Sequence, residues 1–394
     1  MVEVEMFPAK EGDCFLITLI KQDYRILVDG GTAQTYKDYL RTKLLELSQQ
    51  GKKIDLLIVT HIDNDHIGGI ISLFKENGSY DEANVICIEE IWHNSYRHFY
   101  GLNHNKLKFR EKEILTSIIS KRNVQDEYDP HEGEQEISAV QGTTLAGFLY
   151  KGNYNWNSMF EGKAVSCESK QVIDIADDCF IQILSPDEKA LSKLMNVWKH
   201  ELMESKFDFE FTMDSIFDDA FEYYMRYLNV VSGKVDDISS SKDDLMSIDE
   251  LVKIVSKDDE KATNNSSIAF VLSCCGKRLL FLGDMCTKNI EYGVLENEFD
   301  LIKIPHHGST NNIDFEFITK FKSLNYLIST NGKKYQHPNI DVIAKIIASN
   351  FDEKHIYFNY CHDKIIPLFN TEVRNTYNCQ LHSPEENKNT IVYL

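Results

Sequence analysis

Along the first sixty residues the apolar positions fall into short runs rather than long stripes. Val2 to Met6 alternates, Cys14 to Ile20 and Tyr24 to Val28 flank the polar Lys21-Gln22-Asp23, and Ile54 to Val59 is almost unbroken. Alternation predicts a half-covered strand, two runs around a polar tripeptide predict a hairpin, and an unbroken short run fits a strand buried on both faces. Tyr39, Leu40, Leu44, Leu45 and Leu47 recur at helical spacing and predict a helix over 36–48, and Ile70 to Lys75 reads as another.

The middle is less regular. Residues 95–170 mix polar and aromatic positions, with a helix predicted over 107–121, and Gln182 to Ser185 restores a strand that Pro186 stops. Apolar residues at 217, 221, 224, 225 and 228 predict one amphipathic helix, and Ser239 to Asp244 reads as an exposed linker. The last third returns to strands: a hairpin of Ile268–Ser273 and Arg278–Leu282 across Cys275-Gly276, then Asp300–Ile304 and Tyr326–Ser329. Strand after strand ends in a polar residue able to hold a metal. In open α/β sheets that is where chemistry is placed.

At 394 residues and 45.6 kDa the chain exceeds the usual single core, so two domains or one domain with large insertions is expected. We adopt the second reading: a domain over 1–394 carrying insertions at about 95–180 and 187–262. No run approaches the ~20 apolar residues of a membrane helix, and the acidic start lacks a signal-peptide layout, so no membrane partner and a cytoplasmic location are expected. The formal charge of −20 argues against coating nucleic acid by bulk electrostatics. It leaves a nuclease open, because divalent ions in a cleft supply positive charge where phosphate sits. Between Glu201 and Glu260 there are seventeen acids and six bases, which makes the second insertion a lid, a docking surface for a protein partner or a mimic of nucleic-acid charge. Lys106, Lys108, Arg110, Lys112, Lys121 and Arg122 form a local basic stretch, read first as a solvated helix face. Nine cysteines without a Cys-x-x-Cys pair suit reduced, mostly buried thiols rather than a disulfide scaffold.

Four candidate metal ligands crowd into His61-x-Asp63-x-Asp65-His66, directly after the predicted buried strand. Imidazole and carboxylate suit divalent transition metals, and the chain must turn sharply to bring all four together. His61 and Asp63, two apart on an extended segment, share a side and converge on one ion. Asp65 and His66 then reach a second, and Gly68-Gly69 lets a helix start pack closely behind the turn. Asp284 follows a core strand and Gly283, where one carboxylate can bridge two cations ~3.5–4 Å apart. In His306-His307-Gly308-Ser309 adjacent histidines point apart, so we take His307 as ligand and His306 as the neighbour that meets substrate. His337, before Pro338, is a further catalytic candidate. His93, beside Trp92, reads first as a core-edge histidine and only secondly as a substrate contact.

Taken in order, Asp29-Gly-Gly31, the cluster from Thr60 to Gly69, Gly283-Asp284 and His306 to Ser309 resemble the metallo-β-lactamase superfamily. The likeness is nearest to its ComEC-like branch: Glu11 to Ile17 is similar to that branch's first strand motif, Asn264 to Ser267 to its segment before the bridging aspartate, and Asn331 to Pro338 to its Asn and His-Pro element. It covers roughly 1–93, 180–187 and 263–394. The resemblance implies a four-layer αββα sandwich, an α/β (α+β) fold, with two divalent ions at one edge. Carried over by position, His61 and Asp63 hold metal one, Asp65, His66 and His307 hold metal two, and Asp284 bridges. Asp63 stands where a second histidine is commoner, and Asn264 or Asn265 falls where the family would place a further histidine ligand, so both asparagines are read as lying behind the ligands or facing substrate. Site one is therefore rich in oxygen, which leaves Zn²⁺ and Mn²⁺ both open.

The function expected from this reading is a metal-dependent hydrolase of phosphodiesters. Two cations lower the pKa of a water toward ~7, and the resulting hydroxide attacks phosphorus. Asp65 serves catalysis as well as metal binding, His306 or His337 stabilises or protonates the leaving oxygen, and Asp29 sits behind the ligand loop. A nuclease is the leading expectation. A cyclic-nucleotide phosphodiesterase, a lactone or thioester hydrolase and a catalytically degenerate interaction protein are the alternatives.

Overall fold

The short apolar runs of the sequence become two stacked sheets. This computed structural model describes residues 1–99, 109–123, 144–204, 213–231, 246–291, 295–349, 352–363, 365, 369–386 and 388–394. The strands are β1 (Val2–Met6), β2 (Phe15–Leu19), β3 (Tyr24–Val28), β4 (Ile54–Ile58) and β5 (Ile88–Trp92), then β6 (Val172–Ala176), β7 (Cys179–Ser185), β8 (Ala269–Cys274) and β9 (Lys277–Phe281). The series ends with β10 (Glu298–Lys303), β11 (Lys322–Ile328), β12 (Lys354–Phe358), β13 (Cys379–His382) and β14 (Thr390–Tyr393). One sheet runs β14-β1-β2-β3-β4-β5, the other β13-β12-β11-β10-β9-β8-β7-β6.

Helices cover the outer faces. They are α1 (Ala33–Thr35), α2 (Arg41–Gln49), α3 (Asn64–Asn77), α4 (Phe109–Asn123), α5 (Leu145–Lys151), α6 (Glu188–Glu204), α7 (Ser215–Val231), α8 (Ile248–Leu251), α9 (Ala262–Asn265), α10 (Phe315–Lys320), α11 (Ile340–Ala348) and α12 (Thr371–Thr376). The unbroken run in β4 has a direct cause. Leu56 and Ile58 face the layer between the sheets, while Leu57 and Val59 face the helices over the first sheet. Each such side chain contributes roughly 1.5–3 kcal/mol on burial. Between the sheets, Phe281 stacks on Phe270 at 5.3 Å and meets Phe15 of the opposite sheet edge-on at 5.5 Å. Helix, sheet, sheet and helix form the expected four layers. No helix among the described residues is long and apolar enough to cross a membrane.

The second insertion is less separate than its acidity implied. Trp198 of α6 and Phe217, Phe221 and Met225 of α7 are buried in the same cluster as Tyr96, Phe99 and Leu145. Three of its acids also turn inward: Asp218 pairs with Arg97 at 2.7 Å, Asp219 accepts from Thr144, and Glu222 meets His93 at 2.8 Å. Part of the acidic surplus is thus internal wiring. The linker expected at 239–244 lies outside the described residues, as do Lys106 and Lys108 of the basic stretch. Lys112 of that stretch pairs with Asp214 at 2.8 Å.

Two local expectations are corrected. The helix predicted from Ile70 begins six residues earlier, at Asn64, so Asp65 and His66 occupy its first turn rather than a free loop. Gly68-Gly69 disfavours a helix by propensity. Packing reverses this, because a Cβ on Gly69 would stand 2.0 Å from the Gly30 carbonyl oxygen. The cysteines are also not all reduced: Cys179 and Cys274, directly paired across β7 and β8 but 95 residues apart, form a disulfide. Strand register, which spacing does not reveal, brought them together.

Candidate metal centre

Parallel strands of both sheets deliver their carboxyl ends to one edge of the sandwich. There β3 hands on to Asp29, β4 to Thr60 and His61, β9 to Asp284, and β10 to His306 and His307. The close approach of these loops needs bare backbone at Gly12, where a Cβ would lie 1.7 Å from the Asp65 carbonyl oxygen. His306 and His307 both take left-handed backbone, with φ of 45° and 56°. Such a conformation is uncommon for residues other than glycine and turns both rings toward the edge.

Asp284 stands at the centre. Its Oδ2 lies 3.4 Å from Nε2 of His66, 3.4 Å from Nε2 of His307, 3.7 Å from Nε2 of His61 and 3.8 Å from Nε2 of His306. Asp65 Oδ2 is 3.5 Å from His307 Nε2, and Asp63 Oδ2 is 3.9 Å from His61 Nε2. The sequence-predicted ligands His61, Asp63, Asp65, His66, Asp284 and His307 therefore gather in one place, with His306 among them. The ring of His337 lies 5.6 Å from that of His306, at the rim.

Each imidazole is held from behind. His61 Nδ1 faces Thr60 Oγ1 at 3.0 Å, and that hydroxyl already donates to Asp29 Oδ2 at 2.7 Å. His66 Nδ1 donates to Asp29 Oδ2 at 2.9 Å, His307 Nδ1 to the Ser329 carbonyl at 2.9 Å, and His306 Nδ1 to Asn312 Oδ1 at 2.8 Å. An acceptor at every Nδ1 fixes the proton there and leaves the Nε2 lone pairs pointing inward. His66 and His307 oppose their Nε2 atoms at 3.4 Å, and the buried His61 Nε2 and Asp284 Oδ1 make no hydrogen bond. Inward-facing lone pairs and carboxylate oxygens repel one another unless a cation or protons lie between them. The donor set fits divalent metal ions. Asp13, His66, Asp284 and His307 offer ligand atoms that all lie within 4.8 Å of one another.

The electrostatics follow from the same crowding. Burial disfavours the charged forms of His66 and His307, but Asp284, with Asp29 and Asp13 respectively, outweighs it and holds both rings well above the ordinary histidine range. Burial takes His61 down to about 3, reinforced by His66. Burial and Asp65 push Asp63 up to about 7, whereas for Asp65 the hydrogen bond and charge of His307, with His66, overcome burial and hold it low. Without metal, protons on imidazole provide the positive charge that the carboxylates demand.

Three participants escaped the sequence reading. Asp13 approaches His307 Nδ1 at 3.3 Å and contacts the fully buried Lys303, whose ammonium also donates to the Gly283 carbonyl at 3.1 Å. A lysine inside the apolar strand Leu301-Ile-Lys-Ile304 was the available signal. Asp259, from the end of the second insertion, reaches His306 Nδ1 at 3.3 Å. Asn264 and Asn265 take no place beside the imidazoles. The Asn264 amide donates to Asp259 Oδ2 at 2.6 Å, and Asn265 holds the Asp259 carbonyl and the Cys286 amide. Their segment thus brings a carboxylate to His306 from behind the ring. His93 is a core histidine, bonded to Glu222 and stacked on Trp156 at 5.9 Å. Asp29 lies behind His61 and His66, bonded to Thr60 Oγ1 and His66 Nδ1. We expect Asp29→Asn to weaken metal binding about 10–100-fold, in line with other outer carboxylates on ligand histidines. Competition against a chromogenic chelator measures this, and unchanged affinity would remove Asp29 from the centre.

No curated protein matches the chain. Residues 8–148, which include the ligand loop from His61 to His66 but stop before Asp284 and His307, match the family described as the metallo-beta-lactamase superfamily, whose members are mostly metal-dependent hydrolases and whose α/β sandwich is the fold found here.

Proposed function

We propose that this chain is a metal-dependent phosphodiesterase of the nuclease type that holds two divalent ions, Zn²⁺ or Mn²⁺. One observation carries the reading: four imidazoles, each anchored at Nδ1, aim Nε2 at the single carboxylate of Asp284. Asp65, His66 and His307 would hold one ion, His61 and Asp63 the other, with Asp284 shared. Bound ions would acidify a water and neutralise phosphoryl oxygens. Asp13, already engaged by Lys303, keeps His307 in place.

The remaining work belongs to His306. Its side chain is 19 % exposed, against 0–2 % for His61, His66 and His307, so it is the ring a substrate can reach. Asp259 and Asn312 behind Nδ1 stabilise its imidazolium form, which can pass the Nε2 proton to a leaving oxygen. Oxygen-rich ligands and the ComEC-like order of motifs support phosphodiesters over lactones. The net charge of −20 favours a second reading, a small substrate such as a cyclic nucleotide that needs no basic track.

Metal analysis combined with turnover of bis-p-nitrophenyl phosphate, single- and double-stranded nucleic acid, cyclic nucleotides and a lactone panel tests this. We expect phosphodiester cleavage that a chelator abolishes and Zn²⁺ or Mn²⁺ restores. Turnover confined to lactones, or none with full metal loading, would overturn it.

A further inference from the structure

At the end of the sandwich opposite the metal centre, three cysteines meet. Cys179 opens β7 and Cys274 closes β8, with their Cα atoms 4.2 Å apart. Cys275 follows in the turn to β9, and its Sγ lies 3.6 Å from Cys274 Sγ. Cys179 and Cys274 are fully enclosed, and Cys275 is half-buried. A disulfide between Cys179 and Cys274 accounts for two of the sulfurs and leaves the third beside them unexplained.

Gln22, at the tip of the β2–β3 hairpin in the other sheet, completes the group. Its amide donates to the Asp177 carbonyl at 3.1 Å and to Cys275 Sγ at 3.4 Å, and its Oε1 lies 3.8 Å from the same sulfur. Three sulfurs within 4.8 Å of one another and a neutral oxygen make a soft, compact donor set. Around tetrahedral zinc with Zn–S ~2.3 Å, thiolates sit about 3.8 Å apart. The Cys274 to Cys275 spacing already matches this, and Cys179 and Cys274 must separate to admit the ion.

We propose that Cys179, Cys274 and Cys275 form a redox-gated zinc site, with Gln22 as the fourth donor, that ties the hairpin tips of the two sheets. In the oxidised form the disulfide holds Cys179 and Cys274 and the site is closed. A dithiol reductant transfers two electrons and two protons to that bond, yielding two thiols and its own disulfide. The three thiols then bind one Zn²⁺ as thiolates and release their protons to solvent. Neither the fold nor the hydrolase reading requires this site, so each can fail independently of the other.

Cadmium provides the probe, because cadmium–thiolate charge transfer absorbs in the ultraviolet and ions bound only by histidine and aspartate at the other centre lack that band. The full chain, oxidised or reduced with a phosphine, is titrated with Cd²⁺ alone, with competing Zn²⁺ added afterwards. We expect the reduced protein to develop a band whose final intensity corresponds to one thiolate-bound Cd²⁺ per chain, excess Zn²⁺ to erase it, and the oxidised protein to lack it. Cys275→Ser should lower affinity at least tenfold and cut the band by about a third, while Cys361→Ser leaves both unchanged. No band in the reduced wild type, or an undiminished band in Cys275→Ser, would overturn the proposal. The comparison of oxidised with reduced wild type decides the matter even if a variant fails to fold.

Discussion

Replacing Asp284 by alanine is expected to abolish turnover, with kcat falling by roughly 10³-fold or more, the scale of losing central charge stabilisation in a metal site. Oδ2 of Asp284 lies within 3.8 Å of four imidazole nitrogens, contributed by the loops after β4 and β10 and by the first turn of α3. Nor should the fold collapse. Asp284 follows β9 rather than lying within it, and the packing of Phe281 against Phe270 and Phe15 is untouched. Circular dichroism should therefore match the wild type while hydrolysis of bis-p-nitrophenyl phosphate disappears and metal stoichiometry drops. Full activity in Asp284→Ala would refute the assignment, whatever the substrate proves to be.

The second large effect is on stability. Lys303 is fully enclosed in β10, where its ammonium touches Asp13, donates to Gly283 and lies 3.8 Å from Asp284. Burial alone would depress its pKa, but Asp13 and Asp284 overcome this and hold it charged. Lys303→Met removes the cation and leaves Asp13 buried beside other carboxylates, which costs about 3–5 kcal/mol when one partner of a buried pair is lost. For Asp13, burial acts upward, but Lys303 and His307 prevail and its folded pKa is lowered. A depressed carboxylate stabilises the fold above its unfolded pKa of about 3.9, and that stabilisation fades as pH falls. The gap between wild type and Lys303→Met should thus be widest near neutral pH and narrow below about pH 4. Urea unfolding of the metal-free protein across that range measures it, and a loss under about 1 kcal/mol would mean the pair is not a structural keystone.

What the sequence alone determined is local. Short apolar runs set the strands of both sheets, because alternation and unbroken burial leave a period that needs no partner to be read. His61 to His66, Asp284 and His307 were legible for a similar reason: metal-capable side chains directly after buried strands are rare by chance. The tertiary structure alone decided what depends on register and approach. That α3 runs through Gly68-Gly69 against local propensity reflects its close packing on Gly30, where a Cβ at position 69 would clash. Asp13, Lys303 and Asp259 joined the centre from segments up to hundreds of residues apart, and Asn264 and Asn265 hold Asp259 beside His306. The cysteine trio likewise exists only because β7 pairs with β8. Spacing along a chain encodes which face a residue takes, whereas the partner across that face is fixed only when strands align.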